Sequence, residues 1–138
     1  MDLNGDWYNE LGSKMALRVI GSSIAGKYQT AVGDADGIYE LVGRVSVPED
    51  DARTLGFVVV WQNDKRITDS STAWSGEARE IAGEETILTT WLLTVETTPH
   101  DDWKSTLVGK DVFTRIAPTP EKVERAKALR PPSHHPKA

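Results

Sequence analysis

Residues 55–76 read LGFVVVWQNDKRITDSSTAWSG. Two runs rich in Val, Ile, Thr and Trp flank the short polar connector NDK (63–65). Successive side chains of a strand point to opposite faces, so Phe57, Val59 and Trp61 share one face of the first run. In the second run Thr68, Ser70, Thr72 and Trp74 share a face, opposite Ile67, Asp69, Ser71 and Ala73. The pair predicts an antiparallel hairpin. If Trp74 faces a core, hydroxyls go inward with it, and each costs about 1–3 kcal/mol unless it finds a hydrogen-bond partner.

The same pattern extends both ways. Alternating runs fall at 5–11, 14–20, 25–31, 38–46, 55–63, 67–79, 85–97 and 104–115, and helical periodicity is nearly absent before residue 118. The connectors are short and polar, among them IGSS (20–23), GDADG (33–37), AGEE (82–85) and TPHDD (98–102). Eight successive hairpin-linked strands leave two open edges in a flat sheet, and closure removes both. The expected fold is therefore all-β: an eight-stranded antiparallel up-and-down (meander) β-barrel over residues 1–116, with a two-sheet sandwich as the alternative. A barrel of eight strands holds side chains or one small ligand. Residues 117–138 form a C-terminal extension. Thr119 can cap a helix that starts at Pro120 and runs to about Leu129, with a disordered end beyond Pro131 and Pro132. So short a helix does not hold by itself in water; it docks or frays.

Bulk properties narrow the function. The 138 residues suit one domain that buries roughly 65–70% of its unfolded surface. The net charge of −5 argues against a nucleic-acid partner, which needs a basic stripe. The absence of cysteine excludes disulfides, thiolate zinc sites and a cysteine nucleophile. No stretch approaches the roughly 20 apolar residues of a membrane span. The start, MDLNGDW, shows no signal peptide, which fits an intracellular protein or a mature secreted one. The acidic turn PEDD (48–51) reads as solvated charge, and Asp111 is the one carboxylate expected on an inner face; one carboxylate is not an acid–base pair. His100, His134 and His135 lie in a loop or the tail, short of a metal site. No enzyme, metal or cofactor is expected.

Alternation assembles an inward set from distant runs: Asn9, Leu11, Ser13, Tyr28, Thr30, Val32, Trp61, Ser70, Thr72, Trp74, Trp91, Leu93 and Asp111. Aromatic walls with polar groups placed singly suit a specific small-molecule site. A polar interior satisfied by water fits the same pattern. A lipocalin-like barrel with a different cargo is the rival ligand reading, but apolar cargo wants fewer inward polar groups. On the other side, Leu88, Thr90 and Leu92 form an outward face apolar enough to need another subunit.

The segments GDWYNELGS (5–13), GKYQTAVGDA (26–35), LGFVVVWQN (55–63), STAWSG (71–76), TTWLLT (89–94) and DWKSTLVGKDVFTR (102–115) resemble, in order and spacing, the signature strands of the avidin/streptavidin family of biotin-binding proteins. The resemblance covers roughly residues 3–116. It implies high-affinity, non-catalytic binding of biotin and its sequestration. Asn9, Ser13 and Tyr28 would hold the ureido oxygen, Thr30 and Asp111 the ureido N–H groups, and Thr72 the ring sulfur. Trp61, Trp74 and Trp91, with Leu11, Val32 and Leu93, would wall the ligand. Ser70 and the 33–36 loop, including Asp34 and Ala35, would meet the valerate carboxylate. Asp34 stands where a bacterial member has Asn, and Thr68 replaces a smaller residue near the entrance. The resemblance further implies a homotetramer in which Trp103 is lent to a neighbouring subunit's site.

Overall fold

The computed structural model describes residues 1–31, 37–47, 51–62 and 67–129, without the side chains of residues 67–69, 102 and 104. Eight strands follow in order: β1 (Gly5–Tyr8), β2 (Lys14–Ile20), β3 (Ser23–Gln29), β4 (Tyr39–Val45), β5 (Arg53–Gln62), β6 (Ile67–Ile81), β7 (Glu84–Val95) and β8 (Thr106–Thr114). Each pairs antiparallel with the next, and β1 pairs with β8, so the sheet closes into an up-and-down barrel. The expected barrel is the observed one. A 3₁₀ segment, Pro99–Lys104, links β7 to β8. A single α-helix, α1 (Pro120–Ala128), follows the barrel; Thr119 Oγ1 accepts from the Lys122 N–H at 3.3 Å and caps it. No helix among the described residues is long and apolar enough to cross a membrane.

One strand ends earlier than alternation predicts. The sequence extends β1 to Leu11, but pairing stops at Tyr8. Asn9 Oδ1 accepts from the N–H groups of Leu11 (3.0 Å) and Ser13 (2.9 Å), so this side chain satisfies donors that a strand would send to a neighbour. Residues 9–13 form a turn. Asn9, Leu11 and Ser13 are all buried, yet they do not share a strand face.

The short β1 makes the β1–β8 seam narrow, with Tyr8↔Thr114 as its one register pair. Side chains complete it. Glu10 Oε2 accepts from the Val112 N–H at 3.0 Å, where a strand carbonyl would otherwise stand. Arg115 donates to Asn4 O (2.9 Å) and Asp2 O (2.8 Å), pairs with Glu85 at 2.9 Å, and lies 3.8 Å from the centre of the Trp7 ring.

The strands alternate in direction, so the β1–β2, β3–β4, β5–β6 and β7–β8 connections share one end of the barrel. The opposite end is plugged by buried apolar residues, among them Leu3, Trp7, Leu17, Val45, Leu55 and Ile87. Arg53, 1% exposed, closes that end by donating to the carbonyls of Ser46 and Met1. There too, β6 and β7 are joined by Ala82 and Gly83 alone, since Ile81 pairs with Glu84. Both turn residues have positive φ (52° and 83°), as in the type I′ turns that match strand twist. Ala82 is strained there, because a Cβ disfavours left-handed backbone. Ala82→Asn is expected to raise the unfolding free energy by about 0.5–1 kcal/mol, read as a higher urea midpoint at unchanged slope.

Candidate functional site

The polar interior occupies the end bearing the β1–β2 turn. Asn9, Leu11, Ser13, Tyr28, Thr30, Trp61, Thr72, Trp74, Trp91, Leu93 and Asp111 are each no more than 5% exposed, and they come from five strands, the residue following β3 and a turn. Ser70, nearer the end of β6, is half-buried. Val32, Asp34 and Ala35 lie outside the described residues, as does the Thr68 side chain.

Two indoles are anchored by their own N–H groups. Trp61 Nε1 donates to Thr72 Oγ1 at 2.8 Å, and Trp74 Nε1 donates to Asp111 Oδ2 at 2.9 Å. Thr89 Oγ1 donates to the Asp111 carbonyl at 2.9 Å and steadies the backbone beneath that carboxylate. Tyr28 packs against both indoles, with ring centres 5.7 Å from Trp61 and 5.2 Å from Trp74. The pairing shifts register between Val60 and Gln62, so Trp61 sits at an irregularity able to re-aim a side chain. Trp91 lies flat against Gly109 on β8; a Cβ at that position would collide with the indole, so glycine is required for this wall.

Asn9, Ser13 and Tyr28 are all buried. Asn9 Oδ1 is occupied by two backbone donors, which assigns the amide orientation and leaves Nδ2 as a donor. That nitrogen is buried and has no hydrogen-bond partner among the described residues. Ser13 Oγ accepts from the Ala31 N–H at 3.1 Å, so its hydroxyl is the donor in its hydrogen bond with Tyr28. The Tyr28 hydroxyl lies by Ser13 and within the field of Asp111. Burial, then the Asp111 charge, push its pKa well above the ordinary 10.0, partly opposed by the Ser13 hydrogen bond. Tyr28 is therefore a neutral donor across the physiological range. The turn and β3 thus bury three donor groups at this end of the barrel, with the Asp111 carboxylate near enough to act on Tyr28.

Phe57, read on the Trp61 face, stacks on Trp74 (4.9 Å, 17°). The inward set omitted Tyr39, which packs edge-on to Trp61 (5.1 Å, 75°). Tyr39 shares a face with buried Leu41 and Val45, and the same two-residue period finds it. Arg115 carried no such signal, because its partners are backbone carbonyls more than a hundred residues away. Trp103 lies apart from the interior set, in the 3₁₀ segment at the polar end, and is 77% exposed on the single chain. Among the described residues no three His, Asp or Glu side chains gather as a metal site would require.

The Tyr28 shift has a consequence for alkaline stability. Below pH 10.0 the phenol is protonated both folded and unfolded, so its contribution is fully present. Above that value the unfolded chain releases the proton first, and stability falls as pH rises toward the raised native value. Urea melts at about pH 8 and about pH 10.5 are expected to show a loss smaller by about 0.5–1 kcal/mol in Tyr28→Phe than in the parent.

Comparison with known proteins agrees with this architecture. The Avidin family model matches residues 1–116. Avidin-related protein 3 of Gallus gallus is 37% identical over 120 residues, covering 82% of this chain and 77% of the relative. Avidin of the same organism is 32% identical over 127 residues, covering 83% and 78%. Fibropellin-1 of Strongylocentrotus purpuratus is 35% identical over 130 residues, 87% of this chain but 12% of that longer protein. The closed meander barrel, its indole-walled polar end and these matches together place the chain in the avidin family.

Proposed function

We propose that the barrel binds biotin, non-catalytically and at high affinity, in its polar end, and so sequesters it. The observation that carries this reading is the Asn9 amide: its oxygen is committed to the turn, and its buried nitrogen has no partner. A buried donor in that state costs about 1–3 kcal/mol, which a ligand carbonyl oxygen relieves on binding. With Ser13 and Tyr28 it supplies three donors to one oxygen, an arrangement that favours negative charge there, as a ureido group can develop. Thr30 and Asp111 then receive the ureido N–H groups, the carboxylate through a charge-assisted bond. Thr72 faces the ring sulfur, and Trp61, Trp74, Trp91, Leu11 and Leu93 enclose the bicycle. Ser70, with Val32, Asp34 and Ala35, meets the valerate chain. Most of these side chains are already held by packing or hydrogen bonds, so little ordering cost attends binding. A lipocalin-like cargo suits the site less well, since an apolar ligand would bury these donors without satisfying them.

The functional unit we propose is a homotetramer. Register pairs run Val42↔Val58, Val58↔Ala73, Ala73↔Leu92 and Leu92↔Val108 round the outside of the barrel. Val42, Val58, Leu92 and Val108 are 61%, 40%, 49% and 65% exposed on the single chain. An apolar belt crossing five strands favours burial against another copy. Trp103, at the ligand end, would then cover a neighbour's site.

A melt with and without excess biotin is the direct test: a tight ligand raises the midpoint, and an unchanged midpoint rejects the reading. Asp111→Ala is expected to accelerate biotin dissociation more than Ser70→Ala, because it removes a charge-assisted bond and also frees the Trp74 indole; dissociation rates in the reverse order would count against the assignment. Light scattering should give four times the chain mass for the parent and a smaller species for Leu92→Glu; a monomeric parent would dismiss the belt as an interface.

A further inference from the structure

The C-terminal helix lies beyond the segment matched by the family model, yet it rests on the turn that carries two of the three donors. Val123 and Ala126, one helical turn apart, are its half-buried residues; the others of α1 are exposed. A methyl group built on Gly12 would stand 3.6 Å from Val123 Cγ2 and 3.7 Å from Ala31 Cβ. Gly12 is therefore flanked by the helix on one side and the end of β3 on the other. Its φ of +88° suits glycine. Ala31 in turn donates its N–H to Ser13 Oγ. The segment leading into the helix also follows the end of β1: Pro118, Thr119 and Lys122 line, with Asn9 and Glu10, a cleft of about 570 Å³.

The bonds that shape the turn beneath the helix are local: the two onto Asn9 Oδ1, Gly12 N–H to Asn9 O (3.0 Å) and Asn9 N–H to Ser13 O (3.0 Å). Two side chains tie it to the barrel, Ser13 Oγ accepting from the Ala31 N–H and Glu10 Oε2 from the Val112 N–H. Local bonds open without the rest of the barrel. When they do, Asn9 loses the brace that orients its amide.

We propose that α1 is a clamp on the β1–β2 turn: by seating Val123 beside Gly12 it suppresses local opening and holds Asn9 and Ser13 in donor geometry, slowing ligand release. Val123 is thus a positioning residue, acting through the turn without touching the ligand. The link to release rests on the biotin reading; the link to turn opening does not.

The test uses the full chain and its Val123→Asp variant, with Val123→Ile as the conservative control. Amide hydrogen exchange without ligand is expected to speed up by about threefold or more at Leu11 and Ser13 in Val123→Asp. Exchange at Leu41 and Ile87, in the barrel walls, should stay unchanged, and Val123→Ile should match the parent. Biotin dissociation should accelerate by a similar factor in Val123→Asp. Unchanged exchange at Leu11 and Ser13, or faster exchange there with an unchanged dissociation rate, would overturn the proposal. Ala126→Asp repeats the test from the second half-buried position. Loosening spread evenly over the barrel in both variants would overturn it too, since the helix would then serve the whole fold. If the parent binds no biotin while the two turn amides still respond, the ligand assignment fails and the clamp on the turn stands.

Discussion

The rest of the structure depends on how the barrel is closed between its first and last strands. Seven of the eight strand interfaces carry ladders of four to twelve register pairs; the β1–β8 interface has one. Side chains complete the closure, with Arg115 bridging the carbonyls of Asp2 and Asn4 over the Trp7 ring and Glu10 receiving the Val112 N–H. Guanidinium suits this role because it offers several donors in a fixed plane and also stacks on an aromatic face. The economy of β1 has a use. Since the strand stops at Tyr8, the next five residues are free to turn, and that turn buries Asn9 and brings Ser13 beside Tyr28.

Inside, the barrel divides its labour by depth. One end is apolar and supplies burial energy; the other is polar, and stable only where each polar atom is matched. Trp61 with Thr72, and Trp74 with Asp111, show the matching, and each pair fixes an indole as it satisfies a hydroxyl or carboxylate. In low-dielectric surroundings such networks are strong when complete and costly when not. The Asn9 nitrogen stands out against that background, and a binding site is where an unmet donor is expected. Outside, the apolar belt from Val42 to Val108 is exposed on the single chain, and the proposed tetramer would cover it.

The alternation of residues 55–76, repeated along the chain, contains the strand count, the meander and most of the inward set, because side-chain direction in a strand follows from local backbone geometry. The helix from Pro120 was equally legible, through Thr119 and the proline after it. The buried polar end was readable where it lies on strands, as at Tyr28, Trp61, Trp74, Trp91 and Asp111. It was misread at Asn9, Leu11 and Ser13, whose common inward direction suggested one strand face. Tyr39 was within reach of the same periodicity and went unread.

By itself, then, the sequence determined the all-β barrel, the buried tryptophans and a capped terminal helix, since each follows from residue type and near-neighbour spacing. Only the tertiary structure decided where β1 ends, what closes the seam and what α1 touches. Those outcomes depend on partners distant in the chain: Arg115 with Asn4 and Asp2, Glu10 with Val112, and Val123 over Gly12. Periodicity reports which way a side chain points. It carries no record of which backbone group will be waiting there once the sheet has curled round to meet itself.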